Sequence, residues 1–167
     1  MAKPHELHRE AAPKSVRVGI VTVSDSRTEQ TDESGKVIRQ KLLDAGNTVP
    51  FYRIVKDNPK AIAAAVEEAL RASDAVITDG GTGLGKRDVT IATLDPTFER
   101  QLPGFGELFR ALSYKDIGAA AMLSGATAGV LRGKLVFCLP GSPAACRLAM
   151  DSLILPELPH AIGVMRR

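Results

Sequence analysis

The feature that most constrains the fold is a recurring unit: a short β-branched run that stops at polar or glycine-rich residues and is followed by a helix-spaced apolar stripe. Val16 to Val23 is the first such run, and it ends at Ser24-Asp25-Ser26. Unbroken apolarity over so few residues marks a strand buried on both faces, the habit of parallel sheets. Beyond a loop rich in Thr, Glu and Asp, Ile38, Leu42 and Ala45 fall at i, i+4 and i+7 on one helix face, which Gly46-Asn47 terminates. The unit recurs as a strand from Thr48 to Val55, the linker Lys56-Asp57-Asn58-Pro59 and the stripe Ile62, Val66, Ala69. Asn58 suits an N-cap, and Pro59 the first helical position, where a missing N–H does no harm. A third strand, Asp74 to Thr78, runs directly into Gly80-Gly81-Thr82-Gly83. Three strand–loop–helix units in about 75 residues fit a parallel sheet with helices on its faces, an α/β domain.

The remainder is less regular. Val89 to Leu94, Gly104 to Leu112 and Asp116 to Leu123 read as helices; Lys134 to Leu139 reads as a strand. Pro140-Gly141-Ser142-Pro143 follows, with Ser142 placed to cap a helix running toward Leu153. No internal repeat or linker divides the chain, so the expectation is a polar arm over 1–15 and one domain over 16–167. A chain of 167 residues, 44% of them apolar, buries enough surface to need no disulfide or metal staple.

Composition excludes several classes of function. A net charge of +3, from 22 Lys and Arg against 19 Asp and Glu, is a weak field for a nucleic-acid partner. Cys138 and Cys146 match neither a zinc spacing nor a disulfide framework and read as reduced thiols. The first fifteen residues lack the apolar core of a signal peptide, and no stretch reaches membrane-spanning length, so a cytoplasmic chain with no membrane partner is expected. His5 and His8 in the arm and His160 near the end offer neither a triad nor a histidine metal site.

Polar residues and glycines gather beyond the ends of the apolar strands: Ser24-Asp25, Asp57, Asp79 to Gly83, and Gly141-Ser142. In an open parallel sheet ligands bind outside those carboxyl ends, so these loops are expected to meet. Thr78 to Asp88 combines glycines with Lys86 and Arg87; successive bare N–H groups can cradle phosphate, and the two cations can offset its charge. The spacing is neither a Walker A loop nor a dinucleotide fingerprint, and a purely geometric role for the glycines stands beside the phosphate one. Asp88 and Asp57 each read as a helix cap or as a carboxylate that binds Mg²⁺ beside phosphates. Ser142 is a cap rather than a nucleophile, and Phe105 and Phe109, four apart, form a packing face.

The ordered set Thr22 to Asp25, Lys56-Asp57-Asn58, Asp79 to Gly83, Arg87-Asp88-Val89-Thr90, Pro103 to Glu107, Met122-Leu123-Ser124 and Leu139 to Pro143 resembles the MoaB/Mog family of molybdenum cofactor biosynthesis proteins. The likeness runs from about Val16 to Leu158, and the N-terminal arm and the sequence around Cys146 look closer to the MoaB branch. The resemblance implies a three-layer α/β/α fold with a mostly parallel central sheet. It also implies molybdopterin binding and, in active members, adenylylation of molybdopterin from Mg-ATP with release of pyrophosphate. By resemblance Asp57 and Asp88 match the two catalytic acidic positions and would bind Mg²⁺, while Gly80, Gly81, Thr82 and Gly83 match the nucleotide-facing loop. Ser24, Asp25, Ser124, Gly141, Ser142 and Pro143 would line the cleft, with Lys86, Arg87 and Glu107 nearby. A homotrimer or homohexamer, and transient contact with other proteins of the pathway, are further implications; Phe105, Phe109 and Leu153 are the candidate surface residues. The alternative is a non-catalytic molybdopterin-binding or scaffold protein of the same pathway. Gly125 is the one marked departure, because many relatives carry Arg after the serine of Met-Leu-Ser.

Overall fold

A computed structural model describes residues 12–166. Most of the expected polar arm therefore lies outside the described residues. Strands β1 (Arg17–Val23), β2 (Thr48–Val55), β3 (Ala75–Asp79), β4 (Arg100–Gln101), β5 (Thr127–Leu131) and β6 (Lys134–Leu139) form one sheet in the order β2-β1-β3-β6-β5-β4. The pairs β1–β2, β1–β3 and β3–β6 are parallel, whereas β5 runs antiparallel to both β6 and β4.

Alternation along the strands divides the core in two. Val18, Ile20, Ala75, Ile77, Leu135, Phe137 and Leu139 point to one face, against helix α1 (Glu33–Asp44) through Ile38 and Leu42. Helices α4 (Pro103–Ile117), α5 (Pro143–Ala149) and α6 (Leu155–Met165) complete that layer. Val21, Val23, Val76, Val136 and Cys138 point the other way, onto Ile62, Val66 and Ala69 of α2 (Pro59–Ala72) and Leu94 of α3 (Thr90–Leu94). The result is the three-layer α/β/α architecture that the resemblance implied, because strands apolar on both faces need a helical cover on both sides.

Several local expectations shift. Asn58 caps α2, accepting from the Ala61 N–H at 3.1 Å, and Ser142 caps α5, accepting from Ala145 N–H at 3.1 Å. Ala45 is exposed at the end of α1 rather than part of its buried stripe. The helix expected from Asp116 is instead the end of α4 followed by a 3₁₀ segment, Gly118–Leu123. The helix expected to end near Leu153 continues through a π turn at Met150–Ile154 into α6, despite Pro156 and Pro159. Pro156 sits in the first turn, where no N–H is needed, and the wide π turn takes up the mismatch at the joint.

Phe105 and Phe109 are buried; Phe105 packs edge-on against Phe137 at 5.2 Å between ring centres. They form core rather than outer surface. Cys138 and Cys146 are free, buried thiols. Among the described residues no helix is long and apolar enough to cross a membrane.

Candidate functional site

The strand order reverses at β1, whose successors β2 and β3 lie on opposite sides of it. Connections leaving such a point in opposite directions open a crevice at the carboxyl ends of the strands. A cleft of about 490 Å³ occupies that position, lined among others by Ser24, Arg27, Asp57, Gly80 to Gly83, Asp88, Ser124, Gly125 and Gly141.

Its floor is the glycine loop after β3. Gly80 has φ +95°, and a Cβ there would fall 2.2 Å from the Val23 carbonyl oxygen, so no other residue fits where the chain leaving β3 passes the end of β1. Backbone and side chain hold the loop in place: Gly80 N–H donates to Leu139 O at 3.0 Å, Thr90 N–H to Gly81 O at 2.9 Å, and the Thr90 hydroxyl to Gly80 O at 2.9 Å. Thr90 is thus the anchor of the loop, and sequence reasoning assigned it no role.

The two acidic candidates flank this loop. A Cβ on Gly81 would lie 3.0 Å from Asp57 Oδ1, and one on Gly83 2.9 Å from Asp88 Oδ2, so the missing side chains leave room for both carboxylates at the rim. Neither is a helix cap. Asn58 caps α2, and the N-cap position of α3 is Val89, which offers no side-chain cap. Asp88 instead closes a tight loop with Gly85, its N–H donating to Gly85 O at 3.0 Å and its Oδ2 accepting from Gly85 N–H at 2.9 Å. Partial burial raises the Asp57 carboxyl above its ordinary range, and the charges of Asp25 and Asp88 add to the effect. Carboxylates gathered on one rim form a place where a cation is welcome.

Asp25 stands just outside the cleft as a tie between loops. Its Oδ1 accepts from Asp57 N–H at 3.2 Å and its Oδ2 from Arg87 Nε at 3.0 Å. The Arg87 guanidinium holds the Asp25 carboxyl below the usual range. Arg87 is therefore committed to an ion pair, and neither it nor Lys86 lines the cleft. Ser142 and Pro143 begin α5 behind Gly141, and Glu107 lies in a separate hollow with Arg110 on the far side of Gly125.

Gly125 is packed tightly. A Cβ at this position would fall 1.8 Å from the Thr82 carbonyl oxygen, so the Ser124–Ala126 segment lies directly on the glycine loop. The cation that lines the cleft is Arg27, in the loop after β1. Sequence reading passed over it, because an arginine in a loop of mixed charge carries no local signal of its contacts.

Residues 19–160 match a family model described as "Probable molybdopterin binding domain". The chain belongs to the MoaB/Mog family. It is 51% identical to molybdenum cofactor biosynthesis protein B of Bacillus anthracis over 96% of each chain. A crystal structure of a molybdenum cofactor biosynthesis protein B, 50% identical, superposes with a TM-score of 0.90 over 93% of this chain and 99% of that one. The tungsten cofactor synthesizing protein MoaB of Pyrococcus furiosus, 38% identical, gives 0.86 over 93% of this chain and all 100% of its own. Within the MoaB/Mog family the chain stands closer to the MoaB branch, and the cleft described above lies inside the matched segment.

Proposed function

We propose that this protein adenylylates molybdopterin with Mg-ATP and releases pyrophosphate. The observation that carries the reading is the pairing of a glycine-floored cleft with two rim carboxylates, Asp57 and Asp88, inside a molybdopterin-binding family domain. Gly80 to Gly83 offer backbone donors without side chains in the way, which suits the oxygens of a triphosphate.

Among the described residues no three His, Cys, Asp or Glu side chains converge on a metal cage. Mg²⁺ does not require one: it keeps several waters and binds through one or two carboxylates plus substrate phosphates. Asp57 and Asp88, two carboxylates on the rim of one cleft, fit that donor set. When bound there, the ion would offset phosphate charge. In the reaction a terminal phosphate oxygen of molybdopterin attacks the α-phosphorus of ATP; the new O–P bond forms as the bond to the β-phosphate bridge breaks, and pyrophosphate leaves with that electron pair. The nucleophile is already anionic, so the chain's task is to align two polyanions rather than to remove a proton.

The test supplies purified protein with fresh molybdopterin, ATP and Mg²⁺ and follows adenylylated pterin and pyrophosphate together. Equimolar formation of both supports the reading. Tight molybdopterin binding with no product in either channel replaces it with the scaffold role.

A further inference from the structure

We infer that Arg27 is the residue that holds the attacking phosphate monoester, and that Asp79, buried beneath it and carrying a proton, is its positioning residue. The inference takes the identity of the anion from the adenylyltransferase reading, but not the existence of the anion site.

Arg27 lines the glycine-loop cleft and also an adjoining hollow of about 460 Å³, where Tyr52, Arg53 and Lys56 stand with Asp25 and Glu29. The residue is therefore shared by the two cavities. The nucleotide-facing loop and both rim carboxylates occupy the first cavity, so a phosphate approaching from the second meets Arg27 where the substrates join. Among the residues lining the cleft it is the one cation, and it shares that lining with Asp57 and Asp88.

Its side chain is 28% exposed and is held through both terminal nitrogens. Nη1 donates to Ser34 Oγ at 3.0 Å and Nη2 to Gly141 O at 2.6 Å, while Asp32 Oδ1 and Asp79 Oδ1 each stand 3.5 Å from Nη1. A guanidinium has five N–H donors in a fork, so these contacts orient it without exhausting it.

The charge of Arg27 depends on what lies below. Asp32 and Asp79 are both fully buried, and two ionised carboxylates there would over-neutralise one guanidinium. Hydrogen-bond counting settles the proton. Thr22 Oγ1 lies 2.6 Å from Asp32 Oδ2 and 2.9 Å from Asp79 Oδ2, yet a hydroxyl donates only once. Asp32 already accepts from the Tyr52 hydroxyl at 2.7 Å and from Gly35 N–H at 3.0 Å, as an ionised carboxylate does. The chain is complete when Asp79 Oδ2 carries the proton and donates to Thr22, which donates to Asp32. Asp79 Oδ1 then needs no strong donor, in keeping with its lack of any hydrogen-bond partner. Burial, with the Asp32 charge adding to it, pushes the Asp79 carboxyl up to about 7.

The other titratable groups around Asp79 are the Tyr52 hydroxyl from β2 and the Cys146 thiol from α5. Burial drives both upward, Asp32 adding for Tyr52 and Asp79 for Cys146, so both stay neutral. Ionisation of Asp79 at alkaline pH pulls Arg27 down and weakens its hold on the anion.

The experiment measures molybdopterin and inorganic pyrophosphate affinity, and kcat/KM, for wild type, Arg27→Gln, Arg27→Lys and Asp79→Asn between pH 6 and 9. Circular dichroism establishes that each variant folds. Expected are a loss of about 10²-fold in kcat/KM for Arg27→Gln, a smaller loss for Arg27→Lys, which keeps charge but not the fork, and an anion affinity that falls at least about tenfold from pH 6 to 9 in wild type but stays nearly level in Asp79→Asn. Wild-type affinity in both folded Arg27 variants overturns the Arg27 assignment. An alkaline loss unchanged in Asp79→Asn overturns the role of Asp79. If wild type turns nothing over, the adenylyltransferase reading fails, and the anion titrations alone decide for or against Arg27.

Discussion

Replacing Gly80 by alanine tests how the cleft floor is built, with Gly46→Ala as its control. Both glycines have positive φ, +95° and +80°, but a Cβ at Gly46 meets nothing within 4 Å, whereas one at Gly80 falls 2.2 Å from Val23 O. Left-handed backbone costs an alanine about 1–2 kcal/mol, and both variants share that cost. Forcing extra volume into a packed site adds about 1–3 kcal/mol, which falls on Gly80→Ala alone. For a chain of this size 1 kcal/mol moves Tm by about 2–4 °C, so Gly80→Ala should melt about 2–12 °C below Gly46→Ala. Urea unfolding of the two, with m-values compared to confirm a common unfolded state, isolates the difference. Because Val23 also lines the cleft, Gly80→Ala should weaken ATP binding while Gly46→Ala leaves it intact. Equal midpoints for the two variants would refute the close approach of Gly80 to Val23 O.

Three further outcomes follow from the same geometry. Asp88→Asn keeps the Gly85 contact through its side-chain oxygen but loses the rim charge, so Mg²⁺-dependent turnover should fall by at least about tenfold with little change in Tm, as kinetics and melting of one preparation will show. Asp79 is raised from 3.8 to about 7, so the folded state binds more protons than the unfolded one between those values, and its share of stability is lost as pH rises through that window. The loss is at most about 4 kcal/mol, and urea midpoints at pH 5 and pH 8 should differ less in Asp79→Asn than in wild type. Gly125→Arg introduces the residue that the family resemblance led one to expect there, but its Cβ at 1.8 Å from Thr82 O displaces the glycine loop, and thermal melting should register a loss of about 1–3 kcal/mol.

The layered sheet was legible because its three leading strands are short and rich in β-branched residues, the first two followed by helices of clear period and the third by a glycine-rich loop. The apolar stripe Ile62, Val66, Ala69 and the caps Asn58 and Ser142 stand where their local chemistry placed them. What was hidden depends on distant partners. β4 has only two residues, exposed in sequence and held by pairing with β5, so no local pattern marks it. Pro156 and Pro159 read as breakers, yet the π turn before them carries the helix on. At the site, the gathering of Ser24, Asp57, Gly80 to Gly83 and Gly141 followed from strand ends alone. The Thr22–Asp32–Asp79 cluster did not, since it joins residues up to 57 apart whose contact exists only once β1 and β3 pair.

The central claim is transfer of the adenylyl group, and positional labelling tests it most directly. The protein is supplied with molybdopterin and Mg²⁺ together with ATP labelled at either the α- or the γ-phosphate, in wild type and in Asp88→Asn. The account predicts that the α-label moves to the pterin and the γ-label to pyrophosphate, both suppressed in the variant. Label reaching the pterin from the γ-position, or no transfer by protein that binds both substrates, contradicts it.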